Sequence, residues 1–238
     1  MPISTNSAAL VICVAALALI GCGTPPAADG ASADQWHPVH LPGKEHTQYT
    51  AAHKDGRPST AAVSEKSASM WRRRLDLPAQ ALGEVRFSWW VQDLIASANV
   101  AEASRADAPA RVMFAFDGDT GRLPARTRAL FDLAEALTGE RPPYATLVYV
   151  WDAKAPVGTV IVNPRTDRIR KIVVDSGPGQ LRRWRDHQRD LNADFRLAFG
   201  EPPGPLKAVA LMTDSDNTAS SARAWYGPVN FLADTSGR

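Results

Sequence analysis

Residues 83–92 read GEVRFSWWVQ, and their strictly alternating side chains decide the fold class. One face carries Val85, Phe87, Trp89 and Val91, and the other carries Arg86, Ser88, Trp90 and Gln92. β-Branched and aromatic residues at a period of two are typical of a strand with one face in the core. The stretch therefore predicts a β-strand in which Trp90, on the more polar face, is less buried than Trp89.

The chain continues on both sides in short segments that are apolar or alternating and are separated by Gly, Pro, Asp or Asn. They read SASMWRRRLDLP, ARVMFAFDGD, YATLVYVWDAK, GTVIVNP, IRKIVVDSG, LKAVALMTD and AWYGPVNFLAD. In the second of them, Asp117-Gly118-Asp119 is typical of a hairpin turn. This succession predicts a mainly β protein, an antiparallel, jelly-roll-like β-sandwich.

Two segments break the pattern with helical spacing. Residues 126–138 place Leu130, Leu133, Ala134 and Leu137 on one apolar stripe, and Gly139 with Pro142 then stops the helix. Residues 186–199 begin at Asp186, a residue type that caps helix N-termini, and end before Gly200. We expect both helices to lie in connections between strands.

The first 22 residues hold both cysteines of the chain. Residues 8–21 form an uncharged apolar run, shorter than the about 20 residues of a membrane-spanning helix, and end in small residues as export signals do. Residues 19–22, LIGC, resemble a bacterial lipobox, at which signal peptidase II cleaves and the new N-terminal cysteine is acylated. One departure is that the first 12 residues carry no Lys or Arg.

These features predict three parts. Residues 1–21 are the expected lipoprotein signal peptide, residues 22–43 a flexible tether behind the lipidated Cys22, and residues 44–238 a single β-sandwich domain. A mature domain without further cysteine suits an oxidising compartment. We therefore expect an exported bacterial lipoprotein of the cell envelope, held by acyl chains at the outer membrane or a periplasm-facing membrane surface.

The charge distribution argues against nucleic acid as a partner. The formal net charge is only +2, from 27 basic and 25 acidic residues. Nucleic-acid-binding domains gather their basic residues on one face or arm. The basic clusters here, at 72–74, 165–171 and 182–185, alternate with apolar and acidic residues. They are expected to be solvated faces, with contact to an anionic ligand or lipid headgroup as the alternative.

Residues 214–218, DSDNT, combine the most chemically active side chains of the chain. They match the D-x-D-x-T signature of haloacid dehalogenases locally, but that chemistry needs a downstream Lys, and none follows. An EF-hand loop counted from Asp214 would have Ala219 in place of Gly and Trp225 in place of Glu. Three interpretations remain: a turn bonded to its own backbone, a contact to a polar ligand, or a looser Ca²⁺ site at Asp214 and Asp216.

No complete catalytic set is recognisable in the chain. It lacks G-x-S-x-G, H-E-x-x-H and a phosphate-binding glycine loop, and only His187 lies well inside the domain. A glycosidase-like hydrolase stays open, with Asp214 and Asp216 as paired carboxylates. Other acids that could flank a glycosidic bond are Asp107, Asp117, Asp119 and Asp175.

Tryptophans in strands are the second kind of candidate. Adjacent Trp89 and Trp90 must point to opposite faces, and an open aromatic surface on a sandwich can stack on sugar rings. Combined with the polar segments, this predicts a set of ligand-binding residues: Trp90, Arg111, Trp151, Asp214, Asp216 and Asn217.

Several segments together resemble a bacterial family catalogued as domain of unknown function 3047. They are VRFSWWV, ARVMFAFDG, YVW, WRDHQRDLNADFRLAFGEPP and VALMTDSDNTASSARAWYGPVNF, over roughly residues 46–232. Before Arg111 this chain has residues 105–108, RADA, where the family tends to show an acidic Gly-Asp-Asp. The resemblance implies an exported β-rich domain and carries no known activity. The ending AWYGPVNF is also similar to the last strands of jelly-roll carbohydrate-binding modules.

The leading hypothesis is an envelope lipoprotein whose β-sandwich binds a ligand, in its most specific form a glycan, without catalysing a reaction. A paired-carboxylate hydrolase and a structural envelope protein with a protein partner are the alternatives. The only cofactor that the sequence suggests is Ca²⁺ at Asp214 and Asp216.

Overall fold

In a computed structural model of the chain, residues 35–232 are described. The predicted signal peptide, Cys22 and most of the predicted tether lie outside the described residues. The described part consists of two β-sheets that enclose a shared apolar core, with two α-helices in the connections. The predicted mainly β sandwich is confirmed. No helix among the described residues has the length and apolar character needed to cross a bilayer.

The first sheet has seven strands in the order β1-β4-β11-β6-β7-β9-β8. Their bounds are Trp36–His40 for β1, Ser69–Leu77 for β4, Leu206–Asp214 for β11, Ala108–Phe116 for β6, Ala145–Asp152 for β7, Ile169–Ser176 for β9 and Val160–Val162 for β8. Its neighbours are antiparallel except β7 and β9, which are parallel. This departs from a purely antiparallel sheet because β8, which lies between them in sequence, pairs on the far side of β9.

The second sheet has six strands and is antiparallel throughout. Its order is β10-β5-β12-β3-β2, and β13 also pairs with β5. The bounds are Trp184–Asp190 for β10, Glu84–Val91 for β5, Ser221–Tyr226 for β12, Arg57–Glu65 for β3, Gln48–Lys54 for β2 and Asn230–Phe231 for β13.

The core lies between the sheets and is rich in aromatic side chains. Phe87 and Trp89 of β5 face Tyr149 and Trp151 of β7, and all four are buried. Burying a large apolar side chain contributes about 1.5–3 kcal/mol relative to leaving it exposed. The alternation of residues 83–92 thus correctly predicted that Phe87 and Trp89 face the core. Trp90 points to the outer face, yet it is only 6% exposed.

The first helix, α1, covers Ala125–Thr138, and Gly139 ends it in a left-handed conformation (φ 73°). The predicted boundaries are therefore confirmed. Its leucine stripe is not buried: Leu130 is 49% exposed, Leu133 54% and Leu137 74%. The buried residue of α1 is Phe131, which lies outside the stripe. Helical periodicity correctly placed the leucines on one face but did not predict what that face contacts.

The predicted helix over 186–199 is wrong in its first half. Residues Trp184–Asp190 form strand β10, and α2 covers only Leu191–Phe199. Seven residues of β10 pair with β5, so the ladder of the sheet outweighs the local preference of this polar segment. The true N-cap is Asp190, whose side chain accepts a hydrogen bond from the Ala193 N–H at 3.0 Å.

Two further expectations need correction. Asp117-Gly118-Asp119 is not a tight hairpin turn, because the antiparallel strands β6 and β7 are joined by a long connection that contains α1. The folded domain also starts before residue 44, since residues 36–40 form β1 and pair with β4. Strand β1 is an edge strand, and backbone hydrogen bonds to β4 hold it in place. Such bonds do not require alternating apolar residues, so no sign of the strand is visible in the sequence.

Candidate functional site

The DSDNT segment forms a buried link between β11 and the loop before β6. Asp107 accepts hydrogen bonds from both the backbone and the side chain of Asn217 (3.2 and 3.1 Å) and of Thr218 (2.7 and 2.6 Å). Asp107 is itself fully buried. Its four donors satisfy both carboxylate oxygens. Asn217, predicted as a ligand-binding residue, therefore has a structural partner within the chain.

Asp214 and Arg111 form a buried ion pair next to this link. Asp214 also accepts a hydrogen bond from the Ala108 N–H at 3.1 Å, and Arg111 donates to the carbonyl of Ala106. Burial raises the pKa of Asp214, and the Arg111 guanidinium opposes that shift. Both side chains are almost inaccessible. Arg111 and Asp214, predicted as ligand-binding residues, thus bond each other and the nearby backbone, and they do not face an external ligand in this structure.

The oxygen atoms of Asp107, Asp214 and Asp216 approach within 4.8 Å of one another, which is the arrangement of a candidate cation site. The donor set does not suit Ca²⁺, however. Arg111 pairs with Asp214, Lys44 pairs with Asp216, and Asp107 already accepts four hydrogen bonds. A calcium ion, which takes six to eight oxygen ligands, would have to displace two cationic side chains. We therefore derive no role for Ca²⁺ at Asp214 and Asp216.

Residues 189–200, RDLNADFRLAFG, lie within the segment WRDHQRDLNADFRLAFGEPP of the resemblance and likewise have a structural role. Arg189 donates two hydrogen bonds to the carboxylate of Asp194, at 2.8 and 2.6 Å, and Tyr149 donates a third at 2.7 Å. Asp190 caps α2, and Gly200 (φ 72°) ends it. Asp194 thus attaches α2 to Arg189 of β10 and Tyr149 of β7, and Asp190 and Gly200 set the two ends of the helix.

Trp151, another predicted ligand-binding residue, lies in the core and has no exposed surface. Its indole N–H donates to the carbonyl of Gly177 at 3.1 Å. Trp151 therefore offers no surface to a ligand in this structure. The reason is that β7 is a central strand covered on both faces, which alternation alone cannot distinguish from a half-exposed strand.

A buried polar cluster surrounds Asp175 on β9. Its carboxylate lies 2.9 Å from His187 Nε2 and accepts hydrogen bonds from Trp89 (2.8 Å) and Arg185 (3.0 Å). Burial alone would raise the pKa of Asp175, but the hydrogen bonds from His187 and Trp89 hold it below its usual value. His187, expected at a helix start, instead stacks on Phe87 inside the sandwich.

The outer face of the six-stranded sheet carries a tryptophan cluster that we define as Trp90, Trp184 and Trp225. The three residues are register partners on adjacent strands. Trp90 and Trp225 meet edge to face with ring centroids 5.0 Å apart, and the Lys54 ammonium lies 3.9 Å from the Trp90 ring centroid. Trp90 is buried because these neighbours cover it. Its indole N–H has no hydrogen-bond partner among the described residues.

The tip of the β2–β3 hairpin lies across this face. Asp55 (φ 49°) and Gly56 (φ 78°) form its two-residue turn, a conformation that Asp-Gly favours. The Trp184 indole donates to the Lys54 carbonyl at 3.0 Å, and Arg57 pairs with Asp186 at 2.7 Å. Since β5 and β12 separate β3 from β10 in the sheet, these contacts require the tip to bend over the outer face.

A polar cleft of about 430 Å³ lies beside the tryptophan cluster. Its floor is formed by residues that are partners on adjacent strands. Asp186 of β10 pairs with Ser88 of β5. Arg86 of β5 lies between Gln188 of β10 and Asn230 of β13. Pro228 completes the wall. The backbone passes close to the floor at Gly227, where a Cβ would lie 2.2 Å from the Ser88 hydroxyl oxygen. A side chain at this position would have to displace the Ser88 hydroxyl from the floor of the cleft.

A second cavity of about 280 Å³ shares Pro228 and Asn230 with the polar cleft. Arg73 lines it, with its guanidinium carbon 5.4 Å from the Trp36 ring centroid and 5.8 Å from that of Phe231. Within residues 35–232, Arg73 has no carboxylate partner within salt-bridge distance. Ser59 and Thr60 add hydroxyl groups to the same cavity. This second cavity lies at the edge of the sandwich between the two sheets, because residues of both sheets line it, among them Leu211 and Tyr226. We call the two cavities together the outer-face site, after the position of the polar cleft.

Of the predicted site residues, only Trp90 lies beside the outer-face site, and none of the six lines its two cavities. Sequence reasoning missed the residues that do line the polar cleft, although Arg86 and Ser88 were correctly placed on the outer face. One available signal was Lys54-Asp55-Gly56-Arg57, a hairpin turn with basic residues on both sides. The convergence of β10, β13 and β5 left no local signal, because it depends on strand order.

Comparison with solved structures finds weak likenesses. One is to the family 11 carbohydrate-binding module of the cellulosomal cellulase Lic26A-Cel5E of Clostridium thermocellum, with 10% identity over 83% of this chain and 87% of that chain, and a TM-score of 0.41. Another is to the xyloglucanase domain of NopAA, a type three effector from Sinorhizobium fredii, in complex with cellobiose, with 5% identity over 86% of this chain and 100% of that chain, and a TM-score of 0.40. At these scores the likeness says nothing about the ligand of this chain.

No curated protein matches the sequence. A family match does extend over residues 34–230, which is nearly all of the described part and most of the chain. It agrees with the motifs whose structural roles are described above. The chain belongs to the family described as "Protein of unknown function (DUF3047)".

Proposed function

We propose that this protein is an envelope lipoprotein that binds a glycan at the outer-face site and catalyses no reaction. The observation that supports the proposal best is the polar cleft beside the tryptophan cluster. Its floor brings a hydroxyl, a carboxylate, two amides and a guanidinium to one surface. Asp186 pairs there with Arg57 and Arg86 donates to Gln188, and both contacts are exposed, so a ligand can compete for them, unlike the buried Asp214–Arg111 pair. Sugar hydroxyls both donate and accept hydrogen bonds, and a floor that offers both functions matches them.

The size of the cleft is consistent with a small part of a polysaccharide chain. Its volume lies within the range of about 300–1,000 Å³ for small-molecule sites. Trp184 lies two residues before Asp186 on the same face of β10 and is partly exposed. An aromatic ring next to a row of hydrogen-bonding groups is the pairing that a sugar ring, with apolar C–H faces and polar edges, requires.

The unpaired Arg73 in the adjoining cavity favours a glycan with acidic groups. A guanidinium without a carboxylate partner, held between aromatic rings, offers paired N–H donors to a carboxylate. Together, Arg73 and Arg86 give the outer-face site two cationic groups against one acid, Asp186.

The geometry does not favour the hydrolase alternative. Asp214 is buried and paired with Arg111, and Asp216 is paired with Lys44. A glycosidase needs one carboxylic acid and one carboxylate that both reach the glycosidic bond. Neither Asp214 nor Asp216 lines the polar cleft or the Arg73 cavity. The outer-face site itself presents a single carboxylate, that of Asp186.

Binding is tested by affinity electrophoresis of the full chain through gels that contain acidic or neutral envelope polysaccharides. We expect retardation in an acidic polysaccharide. Arg86→Ala combined with Asn230→Ala should weaken it by about tenfold or more, which corresponds to about 1.4 kcal/mol. Gln48→Ala is the matched control, because Gln48 is an exposed residue of the same sheet outside the cleft. Unretarded migration of the parent chain in every polysaccharide would refute glycan binding.

The anchoring part of the proposal rests on the sequence LIGC at residues 19–22. Cys22→Ala removes the thiol that would carry the diacylglycerol group, so acylation should be lost and the protein should leave the membrane fraction. Incorporation of labelled fatty acid measures the first effect and cell fractionation the second. Unchanged lipid incorporation in the Cys22→Ala variant would contradict the lipoprotein assignment.

A further inference from the structure

Helix α1 carries an apolar surface that the described part of the chain does not cover. Leu130, Leu133 and Leu137 are all about half exposed or more. They follow Arg126 at intervals of four, three and four residues, so the arginine and the leucines share one stripe. We call this stripe the α1 face. Isolated exposed leucines are ordinary, whereas a contiguous row on one helix is typical of an interaction surface.

The α1 face adjoins the strand that leads to the N-terminus. Glu140, two residues after α1, accepts a hydrogen bond from Arg72 at 2.7 Å. Arg72 is the register partner of His37 on β1 and lies 3.4 Å from its ring nitrogen. Leu137, the most exposed of the leucines, lies three residues before Glu140 in sequence. Glu140 contacts Arg72 of β4, and Arg72 in turn contacts His37 of β1.

This position matters because the proposed anchor, Cys22, lies a short way before β1 in sequence. The 13 residue steps between Cys22 and Gln35 can extend to at most about 45 Å. A chain of that reach keeps β1 within about 45 Å of a membrane that holds Cys22, so the α1 face beside β1 can reach the membrane surface. The inference therefore rests on the anchoring part of the proposed function.

The charges around α1 suit a bilayer with anionic headgroups. Arg126 begins the stripe, and it has no acidic partner among residues 35–232. Interfacial helices combine apolar residues on one face with Lys or Arg beside them, and the long basic side chains reach back to the headgroups. The acidic residues Asp132 and Glu135, by contrast, are both paired with Arg141.

We propose that the α1 face lies on the membrane surface, with Leu130, Leu133 and Leu137 inserted at the headgroup boundary. Phe131 holds the helix to the sandwich. The domain would then have two points of attachment, the acyl chains and the α1 face. Two attachments fix the orientation of the domain, whereas a tether alone leaves it free to rotate.

The test places an environment-sensitive fluorophore on the full chain. Leu137→Cys is labelled in a Cys13→Ser background, and the protein is mixed with vesicles of phosphatidylethanolamine and phosphatidylglycerol. We expect the emission to shift to the blue and to be quenched by lipids with a shallow spin label, because such helices insert by about 5–10 Å. The matched control is Leu197→Cys, since Leu197 is also a well-exposed leucine, on α2, with 61% exposure against 74% for Leu137.

The outcomes separate the two proposals. Emission from the Leu137 site that stays as water-like as that from the Leu197 site would overturn membrane contact by α1. A parent chain without an introduced cysteine should not react with the fluorophore, because an acylated Cys22 has no free thiol. Labelling of that parent would count against the anchor alone, whatever the Leu137 site reports.

Discussion

Asp107 and Thr218 are joined by two hydrogen bonds, one from the Thr218 backbone N–H at 2.7 Å and one from its hydroxyl at 2.6 Å. The two residues are 111 positions apart in the sequence. The contact connects the loop before β6 to the loop after β11. It explains why acidic and amide residues gather in DSDNT: they hold two distant segments together within a buried environment.

Replacing Asp107 should therefore destabilise the fold. Asp107→Asn keeps the shape of the side chain but turns one acceptor into a donor that faces the N–H of Thr218 or Asn217. We expect the free energy of unfolding to fall by about 2–3 kcal/mol, measured by urea denaturation. Asp117→Asn is the control, because Asp117 is exposed and should change stability by less than about 0.5 kcal/mol. Equal stability of both variants would refute the structural role of Asp107.

The Arg189–Asp194 pair should matter far more than an exposed pair of the same kind. Asp194 is buried, and Asp194→Asn removes its charge and turns one acceptor oxygen into an NH₂ donor, so at least one hydrogen bond from Arg189 or Tyr149 is lost. We expect a loss of about 2–4 kcal/mol. Asp93→Asn breaks the exposed pair with Arg182 and should cost less than about 1 kcal/mol. Thermal unfolding of the two variants side by side measures the difference, and similar midpoints would contradict it.

Stability should rise with pH in the alkaline range because of Lys171. Burial lowers the pKa of Lys171 to about 8, and Arg111 adds to the shift. Between pH 8 and the unfolded value near 10.5, the unfolded chain binds a proton that the folded chain has released, so raising the pH favours folding. From about pH 7.5 to about pH 9.5 the gain should be about 2 kcal/mol. The urea midpoint of Lys171→Met should rise less with pH over this range than that of the parent chain. An equal rise in both would refute the role of Lys171.

Calcium should have no effect on stability. The carboxylates of Asp214 and Asp216 already neutralise Arg111 and Lys44, so a divalent cation gains little by competing for them. Melting temperatures in calcium and in chelator should therefore agree. A ligand that binds only the folded state raises the melting temperature. A rise with calcium that disappears in Asp216→Asn would reinstate the site.

Helix α1 should depend on one side chain for its attachment. Phe131→Ala removes its buried contact and should cost about 2–4 kcal/mol. Leu137→Ala, on the exposed stripe of the same helix, should change the free energy of unfolding by less than about 0.5 kcal/mol. Denaturation in the absence of lipid is the measurement. A comparable loss in both variants would mean that the leucine stripe is packed in solution.

Part of the candidate site could be predicted from the sequence, and part could not. Alternation over residues 83–92 correctly placed Arg86, Ser88 and Trp90 on one face of β5. It could not predict that the β2–β3 hairpin covers Trp90, or that β13 places Asn230 beside Arg86. DSDNT does lie at a turn after β11, but its side chains do not bond their own backbone as one interpretation expected: Asp214 pairs with Arg111 and Asp216 with Lys44. The carboxylate and amide groups of DSDNT suggested contact with an external ligand, whereas their actual partners include Asp107 and Arg111 of the same chain.

The sequence by itself determined the class of the fold, the limits of α1 and the strand character of most segments, because these follow from local periods and from residues such as Gly139. Only the tertiary structure decided which polar residues are free to bind. A carboxylate has the same local signature whether it meets Arg111 in the core or a sugar at the surface. The difference arises from strand order, which brings together residues more than a hundred positions apart and satisfies some of their hydrogen bonds while leaving others to a ligand.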